Sequence, residues 1–155
     1  MTLDFMVVSL PRSGSTWAAN WLTTDAVHCS HDPLYSMHYS DFDSKLCANG
    51  FVNGIACTGI YHWPDWVNRH PARKVILHRD FDEIQQSMID IGLPPLEHTA
   101  ESTIKAINGL HVPYEALFDP REARKLWKYL TGSEFNERRH RELVDIEMQP
   151  KFSGL

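Results

Sequence analysis

Cysteine is scarce: the 155-residue chain has only Cys29, Cys47 and Cys57, an odd number without C-x-x-C spacing. Neither a disulfide framework nor a zinc knuckle is indicated, and the expectation is three reduced thiols in a cytoplasmic protein. No apolar run approaches the roughly 20 residues of a membrane span, and no basic segment leads into an apolar one at the start. Cationic excess is missing too. With 15 Lys and Arg against 20 Asp and Glu, the net charge of −5 gives a nucleic-acid partner no electrostatic support. Repeats, low-complexity tracts and interdomain linkers are absent. What remains is 43% hydrophobic and 23% charged, a balance that supports a folded core. By length it is one domain, residues 1–155.

The most informative stretch is Phe5 to Leu22, FMVVSLPRSGSTWAANWL. Phe5-Met6-Val7-Val8 reads as a buried parallel strand. Leu10 to Thr16 breaks the run with turn formers, and Trp17, Ala18, Trp21 and Leu22 then recur at helical spacing. Strand, tight loop and helix together aim backbone N–H groups at an anion. Gly14 allows close approach, Ser13, Ser15 and Thr16 add hydroxyls, and Arg12 adds a charged fork. A Walker A loop is a poor match. Ser9 stands at its first Gly and Ser15 at its Lys, which argues against a magnesium–triphosphate enzyme.

Further along, Asp25–Gly50 is polar and aromatic with no clean period, with a short strand at Val27–Cys29 and a helix within Tyr35–Cys47 as weak readings. Ile55–Tyr61 reads as a strand, Pro64–His70 as a short helix, and Lys74–His78 as the clearest strand after the first. Helices are expected over Asp82–Ile91, Glu97–Asn108, Pro120–Leu130 and Glu134–Met148, with a short strand at Leu110–Val112. Asp119 and Pro120 start the Pro120 helix and Gly132 stops it. Alternating strands and helices imply an α/β fold, a three-layer domain whose central parallel sheet is flanked by helices, with ligand at the strand C-termini.

Two motifs sit at such strand ends. Pro11-Arg12-Ser13-Gly14-Ser15-Thr16-Trp17 resembles the 5′-phosphosulfate loop of sulfotransferases that use 3′-phosphoadenosine 5′-phosphosulfate (PAPS), of the form P-[KR]-S-G-[ST]-T-[WL]. Arg79, Asp80 and Ser87 match the spacing of that family's 3′-phosphate motif, R-[DN]-P-x-D-x-x-x-S, with Phe81 in place of Pro and Glu83 in place of Asp. Tyr114 to Pro120 is similar to its Y-E-D-L-x-x-D-P stretch. A G-x-x-G-x-x-K segment of the cytosolic branch has no counterpart.

The resemblance implies a P-loop-like fold and transfer of a sulfuryl group from PAPS to a small-molecule or carbohydrate acceptor. The product would be 3′,5′-adenosine diphosphate (PAP), with no metal required. It assigns Pro11 to Thr16 to the phosphosulfate, Trp17 to adenine stacking, and Arg79 and Ser87 to the 3′-phosphate. Arg12 would also neutralise the leaving oxygen. Two groups compete as base: His62, within the T-H-x-P-like Tyr61-His62-Trp63-Pro64, and Asp32, within His31-Asp32-Pro33. His62 is preferred for its strand-end position. His31-Asp32 as a metal dipeptide is set aside, since the nine His residues show no paired spacing. The alternatives are a nucleotide or nucleoside kinase and a non-catalytic PAP- or nucleotide-binding module. A homo-oligomer is left open.

Overall fold

Phe5–Ser9 forms strand β1, buried along its whole length because both faces of the sheet are covered. The computed structural model describes residues 1–148; residues 149–155 of the expected 1–155 domain lie outside the described residues. β1 is central. It pairs in parallel with β3 (Val52–Cys57) on one side and β4 (Arg73–His78) on the other. β2 (Val27–His31) and β5 (Leu110–Pro113) complete a five-stranded, all-parallel sheet in the order β2-β3-β1-β4-β5.

Helices cover both faces. On one, α1 (Ser15–Trp21) and α6 (Pro120–Thr131) pack Trp17, Trp21, Leu126 and Trp127 against Phe5, Val7, Val75 and Leu77. α7 (Glu137–Met148) closes that layer: Arg139 donates to the carbonyls of Asn20, Trp21 and Thr23, where α1 ends. On the other face, α2 (Phe42–Lys45), α3 (Pro64–Arg69), α4 (Phe81–Asp90) and α5 (Ala100–Lys105) bury Phe42, Val67, Ile84 and Ile104 against Met6, Val8, Ile55 and Ile76.

Local signals explain several boundaries. Asp119 accepts from the N–H groups of Arg121 and Glu122, Pro120 opens α6, and Gly132 ends it with left-handed φ. Asp80 caps α4 through the Glu83 N–H. Other expected boundaries move. β3 begins at Val52 and stops at Cys57, whereas the sequence pattern points to Ile55–Tyr61. Buried Asn53 is admitted because its amide bonds the backbone of Ala48 and Phe51, and the chain turns into a 3-10 segment at Ile60–His62. The helix expected within Tyr35–Cys47 shrinks to α2 beside two 3-10 turns at Pro33–Tyr35 and Tyr39–Asp41. Glu97–Asn108 contracts to α5.

The strand order reverses between β1 and β4, since the chain leaves β1 toward β2 and β4 toward β5. Crevices at such points, outside the strand C-termini, are where open α/β sheets bind ligands.

Candidate functional site

The loop that leaves β1 enters this crevice with a strained backbone. Arg12 has φ +63° and Gly14 has φ +89°, so two left-handed residues flank Ser13 and fold the chain tightly into α1. Gly14 is required twice over. Its φ disfavours a side chain, and a Cβ there would stand 3.1 Å from Leu117 Cδ1. Ser13 and Ser15 are buried, whereas Thr16 is exposed.

Across the crevice, the end of β4 meets this loop directly. Arg79 Nη1 donates to the Arg12 carbonyl at 2.6 Å, and Arg12 Nε donates to Ser87 Oγ, on α4, at 2.9 Å. The sequence reading puts Ser87 with Arg79 on one anion; in the structure Ser87 is partnered by Arg12. Arg79 is held on two further sides. Its Nε lies 3.4 Å from Glu83 Oε2, and its guanidinium lies over the Tyr114 ring at 5.3 Å. Glu83 is 62% exposed, so it is the partner an incoming anion would most readily displace. Arg12 has no carboxylate partner among the described residues.

A cavity of about 210 Å³ opens beside these groups, with Leu10, Ser13, His78, Phe81, Glu101 and Lys105 in its wall. That is below the ~300 Å³ at which pockets begin to enclose a whole drug-sized ligand, so it suits one part of a larger molecule. His78 belongs to a two-histidine chain. His111 Nε2 donates to the Ile107 carbonyl at 2.6 Å, which leaves its Nδ1 to accept from His78 Nε2, also at 2.6 Å. Burial, then the neighbouring His111 and Lys105, lowers the His78 pKa from its ordinary 6.5, against a smaller opposing effect of Glu101.

Trp17 is placed differently from the expectation. It is 5% exposed, ringed by Trp21, Phe118 and His140, and its Nε1 donates to the Leu143 carbonyl. An indole so enclosed is core, not an open stacking platform. The ring that does border the loop is Tyr114.

The two candidate bases also separate. His62 is half exposed, lies against the Tyr61 ring and edge-on to Trp63, and has Glu97 Oε1 3.9 Å from its Nδ1. None of these contacts leads to Arg12, Gly14 or Arg79. Asp32 does connect. Its Oδ1 accepts from Thr58 N–H at 2.8 Å and Thr58 Oγ1 at 3.0 Å, and its Oδ2 lies 3.2 Å from His31 Nε2. That same nitrogen is 3.4 Å from both Ser15 Oγ and Thr16 Oγ1, at the head of α1.

Sequence reasoning missed His31 as part of the loop's surroundings. β2 runs to His31, beyond the expected end at Cys29, which carries His31 and Asp32 to the C-terminal edge of the sheet. Reading the strand to its full length would have found them. No group of three or more His, Cys, Asp or Glu side chains suited to a metal lies among the described residues, nor any helix long and apolar enough to cross a membrane. No family model, curated protein or solved structure matches the chain.

Proposed function

We propose that this chain is a PAPS-dependent sulfotransferase of P-loop-like fold, moving a sulfuryl group to an acceptor hydroxyl or amine and releasing PAP. The observation that carries the reading is the meeting of two motifs far apart in sequence. The Pro11–Thr16 loop and the Arg79–Ser87 segment join through Arg79 Nη1 to the Arg12 carbonyl and Arg12 Nε to Ser87 Oγ. They do so where the strand order reverses. A ligand with anionic groups at two ends fits such a pair better than a single phosphate does. Ser13, Gly14, Ser15 and Thr16 would hold the phosphosulfate. Arg12 would leave Ser87 to neutralise the departing oxygen, and Arg79 would exchange Glu83 for the 3′-phosphate. Positioning and charge stabilisation carry most of the rate in such transfers.

Of the two bases, the geometry favours the Asp32 end over His62, because only Asp32 is tied to the head of α1. The kinase alternative has no Lys in the loop to support it. Calorimetry tests the proposal. PAP binds without magnesium and much more tightly than AMP or ATP. Equal affinity for PAP and AMP, or an absolute magnesium requirement, would sink it.

A further inference from the structure

We propose that His31 is the residue that takes the acceptor's proton and that Asp32 positions it, an inference that rests on the sulfotransferase reading above. The starting point is a backbone outlier. Asp32 has φ +46°, one of two non-glycine residues with positive φ among those described. In a strand that simply continued, neighbouring side chains would point to opposite faces. The left-handed turn at Asp32, followed by Pro33, breaks that alternation. It lets the Asp32 carboxylate meet the imidazole of its own neighbour at 3.2 Å. Strained backbone of this kind persists where the surroundings over-determine it, and here Thr58 does so with two bonds to Oδ1.

The proton inventory then assigns the nitrogens. Nε2 is in hydrogen-bond contact with Ser15 Oγ and Thr16 Oγ1, at 3.4 Å each, whereas Asp32 Oδ2 lies 3.2 Å away as an ion-pair contact. Both hydroxyls can donate, so Nε2 is the nitrogen that offers its lone pair to the loop and Nδ1 carries the hydrogen. His31 is also 36% exposed, against 15% for Asp32, whose oxygens are both engaged. A base needs a free lone pair, access from solvent and a seat next to the transferred group. His31 Nε2 has all three once Ser15 and Thr16 turn their hydroxyls to the phosphosulfate, and Asp32 Oδ2 holds the ring and stabilises the imidazolium that forms.

In the step itself the acceptor O–H gives its proton to His31 Nε2 while its oxygen forms the new bond to sulfur. The bond between sulfur and the bridging oxygen breaks, and its electron pair stays on the 5′-phosphate of PAP. Sulfuryl and proton are both accounted for, and no other reactant is needed.

The test uses the full chain and ³⁵S-labelled PAPS, with water, 4-nitrophenol and glucosamine as acceptor probes. His31→Ala lowers kcat by about a hundredfold or more, the range of a lost general base, and leaves PAP affinity unchanged. Added imidazole restores part of that rate, which a structural role would not allow. Asp32→Asn slows turnover less than His31→Ala does, and imidazole does not rescue it. His31→Ala with wild-type turnover overturns the proposal. So does a loss that imidazole leaves untouched and that PAP affinity follows, or an Asp32→Asn variant slower than His31→Ala. A wild-type chain that binds PAP but transfers sulfate to none of the probes removes the catalytic role alone. Failure to bind PAP removes the parent reading with it.

Discussion

Gly14 is the most constrained single position near the crevice. Its φ of +89° and the 3.1 Å approach of Leu117 to a would-be Cβ both act against any larger residue. A left-handed L-residue costs about 1–2 kcal/mol, so Gly14→Ala is expected to lower stability by about that much in urea titration. It should weaken PAP binding as well, since the loop must shift to relieve the contact. Arg79→Ala should mainly erase the preference for PAP over AMP, a loss of roughly 1.5–3 kcal/mol for one charge-assisted bond. Arg12→Ala should cut kcat more than affinity, read from PAP calorimetry beside single-turnover rates. Equal affinity losses without a change in selectivity would refute that division. The loop was legible from sequence because glycine, hydroxyls and one arginine between a strand and a helix have a chemical reason to be together. His31 was not, because the dipeptide His31-Asp32 carries no spacing. What gives it meaning is the φ at Asp32 and a bond from Thr58, neither of which a linear pattern encodes.

Among the elements, those with uniform surroundings were the easiest to read. β1 and β4 lie inside the sheet, so their apolar runs are continuous, and α6 carries its start and stop signals within itself. β2 is an edge strand with alternating burial, and β3 contains Asn53, whose side-chain amide is satisfied by the backbone of the turn just before it. Those two were misjudged in length for that reason. The β4–β5 edge yields a pH prediction. His78 donates to His111 in its neutral form, and burial lowers its pKa from 6.5. The unfolded chain therefore takes up the proton first as pH falls. Stability is full above about 6.5 and declines from there down to the folded-state pKa of His78. His78→Gln keeps a donor for His111 and removes the titration. Urea midpoints measured from pH 8 to 5 should fall less steeply in that variant than in the parent.

For the molecule as a whole, the thiols report how tightly the two helical layers close on the sheet. Cys29 and Cys57 are buried, while Cys47 is partly open. Burial raises all three pKa values, that of Cys57 to about 11, so none is a ready nucleophile. Iodoacetamide at pH 8 should label Cys47 slowly and leave Cys29 and Cys57 untouched until global unfolding, as read by peptide mass spectrometry. Early labelling of Cys57 would mean that the β3 end of the sheet opens on its own.

The central place of β1 has a consequence for the order in which the chain is made. Phe5–Ser9 leaves the ribosome before the other four strands of the sheet, yet its partners are Gly54 to Cys57 and Arg73 to Leu77. This apolar strand therefore waits without a neighbour until Cys57 has emerged and without its second until Leu77 has, and no earlier fragment can pair both its edges. Nascent chains stalled before β4 should be sensitive to protease and bound by holdase chaperones. Those released beyond α6 should not, because only then are both faces of β1 covered.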